Sequence, residues 1–364
     1  MPRVIGVDPG TLSFDLCGLE DGRVFLEASI TTDEAARTPA LVIDHLTRAL
    51  PLDLVAAPSG YGLPLVPVAQ VSDDQLNLFI LVREDERGEP DMVGGLREMV
   101  ELMRQRRLPA VIIPGVIHLP TVPAHRKVNR IDMGTADKLC VAALAIWDQA
   151  GRLRLSPDRT SFILVELGGA FTAALAVEGG RIVDGIGGTS GGLGYRALGT
   201  LDGEVAYTLG RIAKSALFTG GAAFIAGDPA LPPESLAARA AADPRARIAW
   251  DALLESVEKM VASLRVSLPA PREVLLSGRL SRVPAVAGAL AARLNSVAPV
   301  RPVAGFATGC KEAAQGAALI ADGLAGGSNR ALVETIEVRN SRGSILDHLY
   351  VAGSDAVRGQ FGMR

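Results

Sequence analysis

The 364-residue sequence is short of several things, and each shortage excludes a class of protein. It has three cysteines, Cys17, Cys140 and Cys310, an odd number in apolar surroundings with no metal-ligand spacing. That argues against a disulfide framework or a zinc site and leaves buried free thiols as the expectation. It has no excess of positive charge, since 37 Lys and Arg against 40 Asp and Glu give a formal net charge of -3. Nucleic-acid binding rests on neutralising phosphates, so no nucleic-acid partner is expected. It has no apolar run approaching the roughly 18 residues that span a bilayer, and no basic N-terminal segment with a cleavage site. The expectation is a cytoplasmic protein with no membrane partner. A Walker-type lysine loop and a strand-to-helix G-x-G-x-x-G are also missing, which removes the corresponding NTPase and dinucleotide readings.

What the sequence has in excess is glycine. Forty glycines are about 11% of the chain, against a usual share of about 7%, and sixteen of them fall between Gly168 and Gly227. With 48% hydrophobic residues the chain can bury a core of ordinary size, and at roughly 150 residues per domain its length suggests two domains. Short apolar runs ending in turn residues predict strands at 4–7, 14–19 and 24–30, the last two joined by Glu20-Asp21-Gly22-Arg23. The same grammar returns at 162–165, 171–177 and 182–183, with Glu178-Gly179-Gly180-Arg181 as the turn. At a constant offset of 158 residues, Ile5, Val7, Gly10, Glu20, Gly22 and Arg23 meet identical residues, and Asp8 meets Glu166. An internal duplication is the better reading of this pattern. Alanine-rich helices at 135–151 and 311–326 close the two halves, and their small side chains suit a close crossing. The expected organisation is a first lobe over 1–151, a second over 152–328 with an insertion at about 185–265, and an appended segment at 329–364.

A strand that ends in an acid and a glycine turn puts a carboxylate and backbone N–H groups in one place. Such a place suits a phosphate held against a magnesium ion. Asp8-Pro9-Gly10-Thr11 and Glu166-Leu167-Gly168-Gly169 are the two instances, one per half, with Asp8 and Glu166 as candidate metal ligands. The block at 185–194, with Gly187, Gly188, Thr189, Ser190, Gly191 and Gly192, is too glycine-rich for ordinary packing and reads as a chain that approaches a ligand. Gly278, at the end of a predicted strand, is a further place for a nucleotide base or ribose. The stretch 116–135 concentrates polar chemistry, with His118, His125, Arg126, Lys127, Arg130 and Asp132, and Lys138 follows it.

These residues resemble the superfamily of acetate and sugar kinases, hsp70 and actin. The resemblance runs over about 320 residues: phosphate loops at 4–13 and 163–172, an adenosine segment at 274–280, and connecting helices at 130–151 and 311–326. Residues 53–62, 181–184 and 313–317 are most similar to butyrate and acetate kinases, in particular the DUF1464-like group described as predicted butyrate kinases. The resemblance implies an α/β fold of duplicated actin-like (ribonuclease H-like) ATPase domains, two lobes around a nucleotide cleft. It implies ATP and Mg2+ as cofactors, with Ser13 and Thr172 joining the glycines of the phosphate loops. One departure is Glu166, where many members of the superfamily have aspartate.

The activity expected is phosphorylation of a small, butyrate-like carboxylate. Arg126, Lys127 and Arg130 are the expected clamps, His118 or His125 a donor, and Ser59, Gly60 and Tyr61 the acyl pocket. The alternatives are a sugar or alcohol kinase with Asp132 as base, and a nucleotide-binding regulatory ATPase without an acceptor. The partner is a small carboxylate or sugar, and a homodimer is compatible with the sequence.

Overall fold

The computed structural model describes residues 2–83 and 92–363, and the described chain builds two sheets. Met1, residues 84–91 and Arg364, which the expected lobes and appended segment include, lie outside the described residues. The first sheet holds β1 (Arg3–Pro9), β2 (Ser13–Glu20), β3 (Arg23–Thr31), β4 (Leu54–Ala56), β5 (Val66–Pro67) and β6 (Ala110–Ile112), in the order β3-β2-β1-β4-β6-β5. The second holds β7 (Ser161–Leu167), β8 (Thr172–Glu178), β9 (Arg181–Ile186), β10 (Glu273–Ser277) and β11 (Val300–Pro302). Its order, β9-β8-β7-β10-β11, repeats the first five strands of that order, β3-β2-β1-β4-β6, and β5 is an addition at the first sheet's edge.

The duplication extends to backbone detail. Both hairpins turn through two successive left-handed residues, Asp21 and Gly22 in one and Gly179 and Gly180 in the other, as a two-residue turn between twisted strands requires. Both also carry an irregularity at equivalent positions, Gly18/Leu19 and Ala176/Val177. In each half a short parallel strand lies beside the first strand, so β4 flanks β1 and β10 flanks β7.

Two helices tie the halves together. Ala136–Leu153, from the first half, reaches the second sheet: Arg152 and Gln149 hold the carboxylate of Glu273 on β10, with Arg152 Nη2 at 2.8 Å. Glu312–Leu324, from the second half, lies against β1, where a side chain on Gly6 would run into the backbone of Ala314 and Ala318. Each helix thus completes the other half's structure. They touch at Gly316, whose missing side chain admits the backbone of Cys140, including its Cα at 3.1 Å from where a Cβ would sit. The second sheet is covered on its other face by the helices Pro244–Leu264 and Pro284–Leu294. The segment after residue 328 packs Leu332, Val333, Ile336, Ile345 and Leu346 into a core to which both lobes contribute. All three cysteines are buried and free. Among the described residues no helix is long and apolar enough to cross a membrane.

Candidate active site

β1 and β7 end on opposite sides of a cleft of about 510 Å³. Each strand delivers its acid to that cleft, and each is followed by the same tight turn: Gly10 N–H donates to Ser13 O at 3.1 Å, and Gly168 N–H to Phe171 O at 2.9 Å. The turns meet, with Leu12 of the first packed on Gly169 of the second. The N–H groups of Thr11, Leu12, Gly169 and Ala170 donate to no protein acceptor among the described residues, which leaves them available to an anion.

A lysine from each connecting helix crosses to the acid of the other half. Lys311, the residue capping Glu312–Leu324, places Nζ 3.0 Å from Asp8 Oδ2 and 3.0 Å from Asp15 Oδ2. Lys138, in the first turn of Ala136–Leu153, lies 2.9 Å from Glu166 Oε2 and 2.5 Å from Asp137 Oδ2. Four carboxylates and two lysines leave this centre with a formal charge of -2. Burial pushes the carboxyls of Asp8 and Glu166 above the usual carboxylate range, and their lysines offset this only in part. Burial works against the charge of Lys311 as well, but Asp8 and Asp15 raise its pKa to about 12. Burial opposes ionisation of Asp137 too, yet Lys138 and Thr135 hold its pKa below the usual value.

Asp8 Oδ1 and Glu166 Oε2 are buried atoms without a hydrogen bond, although the latter is ion-paired with Lys138. Buried polar atoms without a partner mark places where a ligand is missing from the count. Asp8 Oδ1 is such an atom, and with the Glu166 carboxylate in a negative centre it suits a hard cation that keeps most of its water, as magnesium does, for which one or two carboxylates suffice. Among the described residues there is no cluster of three or more metal-ligating side chains, so a fully protein-caged metal is not built here.

On the second-lobe side, Ser277, Gly278, Arg279 and Arg282 line the cleft where β10 ends beside β7. Gly278 has φ +86°, and a side chain there would meet Glu166 Oε1 at 2.7 Å, so only glycine lets β10 end against the acid. Ser277 Oγ is another buried atom with no partner. Ser59, Gly60 and Tyr61 line the first-lobe side, and Gly10, Thr11, Ser13, Gly168, Gly169, Gly188, Thr189 and Asp132 line the cleft as well.

Other expected site residues are placed elsewhere. The stretch 116–130 does not line the cleft but braces the two halves behind it. Arg126 Nη1 donates to Val183 O at 2.6 Å, Lys127 Nζ to Leu119 O at 2.9 Å, and Arg130 Nη1 reaches Ser190 O at 3.5 Å. The chain's last segment straps this stretch down, with Asn129 N–H on His348 O and Arg342 N–H on His118 O. His118 is buried against Gly115, and burial lowers its pKa to about 4. His125 is exposed on the outer face. These basic residues meet backbone carbonyls and do not line the cleft.

The glycine block is divided: Gly188 and Thr189 line the cleft, and its other residues pack elsewhere. Gly187, Ser190, Gly191 and Gly192 lie outside the cleft lining. Their glycines are close-packed: Gly191 and Gly192 sit on Met260, and Gly192 also on Ser256 of the helix Pro244–Leu264. Thr172 is fully buried on β8, away from the cleft, with its hydroxyl unpartnered. Asp132 is in the cleft, but Gly134 N–H binds its Oδ1 at 3.0 Å, and Thr189 N–H and O–H bind its Oδ2 at 3.0 and 2.9 Å.

Sequence reading missed Lys311, Asp15, Asp137 and Lys214. Asp137 and Lys138 share the first turn of one connecting helix, and Lys311 heads the other. That common position was the available signal. Lys214 Nζ donates to Tyr61 Oη at 2.9 Å, a pairing across the lobes that no local pattern announces.

The sequence model of the family described as "Protein of unknown function (DUF1464)" matches residues 6–351. No curated protein matches the chain. In three dimensions it is similar to a propionate kinase from Francisella tularensis subsp. tularensis SCHU S4, with TM-score 0.60 and 13% identity over 87% of this chain and 99% of that one. Acetate kinase from Entamoeba histolytica gives 0.58 and 11% over 81% and 86%. A ROK family protein from Streptococcus pneumoniae TIGR4, in complex with sucrose, gives 0.50 and 13% over 87% and 98%. The likeness establishes the fold, a two-lobed architecture shared with these kinases.

Proposed function

We propose that this chain, which belongs to the DUF1464 family, is an ATP-dependent kinase that phosphorylates a small carboxylate to an acyl phosphate. One observation carries the proposal: the symmetry-related acids Asp8 and Glu166 face one cleft, each ion-paired with a lysine from the opposite half, and Asp8 keeps a buried oxygen without a partner. Phosphoryl transfer needs little covalent chemistry from a protein and depends on positioning and charge neutralisation. Asp8 and Glu166 would hold Mg2+, directly or through water, and the ion when bound would neutralise phosphate charge. The glycine turns present N–H groups to the phosphates, and Lys138 and Lys311 pair with the two acids and orient them. The second lobe, through Ser277, Gly278 and Arg279, takes the nucleotide, and the first lobe, through Ser59, Gly60 and Tyr61, presents the acceptor.

A carboxylate acceptor is already an anion at neutral pH and needs no base. Its oxygen attacks the γ-phosphorus, the bond from that phosphorus to the bridging oxygen breaks, and ADP leaves. The second reading, an alcohol acceptor, has an observation of its own, because Asp132 lines the cleft near Tyr61. Both its oxygens, however, already accept hydrogen bonds from Gly134 and Thr189, a loop-holding role rather than a base waiting for a proton. The neutral variant Asp132→Asn separates the readings in an ADP-release assay over a panel of acids and sugars. A loss below about tenfold with an acid as the stimulating acceptor supports the carboxylate kinase. A loss beyond about a hundredfold with a sugar as the stimulating acceptor overturns it. Slow hydrolysis that no acceptor stimulates points to a regulatory ATPase.

A further inference from the structure

We propose that the acceptor end of the cleft takes carboxylates with a bulky apolar tail, and that Lys214 of the second-lobe insertion, beside Tyr61 of the first lobe, holds the carboxylate. The inference rests on the carboxylate-kinase reading and adds the substrate class and a specificity-determining residue. Lys214 opens the short helical segment Lys214–Phe218. Its ammonium donates to Tyr61 Oη at 2.9 Å and lies 4.6 Å from the centre of the tyrosine ring. Because the phenol oxygen accepts from lysine, the tyrosine O–H still has a proton to give. Burial, aided by the charge of Asp132, keeps that phenol protonated far above neutral pH. An ammonium and a hydroxyl side by side match the two oxygens of a carboxylate.

Part of the cleft wall is apolar. Phe79, Ile80, Leu96 and Val141 are buried and line the same cleft. Phe171 and Phe218 close it edge to face, with ring centres 5.2 Å apart. A two-carbon acid would leave most of such a wall unfilled, whereas each further methylene buried there strengthens binding by about fourfold. The strap that carries Lys214 is tied to the first lobe a second time, where Arg83 Nη2 donates to Ile212 O at 3.0 Å. The receptor therefore forms only where the two lobes meet.

The test compares acetate, butyrate, isovalerate and phenylacetate with the wild-type chain, Lys214→Met and Lys214→Arg. It reads turnover with ATP and Mg2+, and also thermal protection by each acid in the presence of ADP, which does not require chemistry. The expected result is a kcat/KM at least about tenfold higher for isovalerate or phenylacetate than for acetate. Lys214→Met should raise KM for the acid by about tenfold or more with KM for ATP little changed, and Lys214→Arg should recover most of that loss. Equal or better use of acetate overturns the tail, and a Lys214→Met effect that falls on ATP overturns the clamp. If Lys214→Met does not fold, the Arg variant and the acid series decide. Thermal protection by the bulky acids without turnover would sink the kinase reading and leave this receptor standing, whereas turnover with acetate preferred and Lys214 indifferent would do the reverse.

Discussion

At the scale of single residues, Asp8 and Glu166 set function against stability. Their folded-state pKa values lie above the ordinary carboxylate range, with burial the largest cause. Ionising them therefore opposes folding: stability is highest below that range and is lost as pH rises through the elevated values. Asp8→Asn leaves Lys311 its pairing with Asp15, and Glu166→Gln leaves Lys138 its pairing with Asp137. Each variant should melt roughly 2–5 °C above the wild type at pH 8, converge on it toward pH 4, and lose about a hundredfold or more of its ADP release. Melting below the wild type at pH 8 would contradict the account. His118 gives the opposite pH signature. Its folded-state pKa of about 4 lies below the usual 6.5, so the unfolded chain takes the proton first as pH falls. Stability should drop between pH 6.5 and 4 by up to about 3 kcal/mol, and urea unfolding of His118→Gln should show a flatter profile over that window.

At the scale of elements, the crossing of the two connecting helices is the joint on which the site depends, since each helix delivers a lysine to the opposite acid. Gly316→Ala places a Cβ against the backbone of Cys140, which cannot yield as a side chain would. It should lower stability by about 1–3 kcal/mol in urea unfolding. Gly288, in the helix Pro284–Leu294, has nothing within 4 Å of a would-be Cβ. Gly288→Ala should raise stability by up to about 1 kcal/mol, because alanine restricts the unfolded chain and favours the helix. The contrast also explains what the sequence made legible. The hairpins, the paired acids and the alanine-rich helices are local patterns repeated at one offset, and the structure keeps them down to the left-handed turns. The glycine block divides between the cleft, at Gly188, and the helix Pro244–Leu264, at Gly191 and Gly192, and composition alone does not separate a glycine near a cleft from one near a methionine. Arg126, Lys127 and Arg130 lie outside the cleft lining and meet backbone carbonyls, partners that no sequence pattern displays.

At the scale of the whole molecule, duplication followed by exchange of the closing helices makes the cleft a shared property of both halves. Asp8 answers to Lys311 about 300 residues away, and Tyr61 to Lys214 across the lobes. Such pairs form only when the lobes assemble, so the centre was half legible: Asp8, Glu166 and Lys138 in the sequence, Asp15, Asp137 and Lys311 only in the fold. The account's central claim is transfer of a phosphoryl group to a carboxylate oxygen. The direct measurement is phosphorus NMR of the product made from ATP and an acid labelled with oxygen-18 in its carboxyl group. The account predicts an acyl phosphate whose phosphorus carries the isotope shift of a bridging oxygen-18. A phosphate ester formed from a sugar, with no acyl phosphate from any acid, would contradict it.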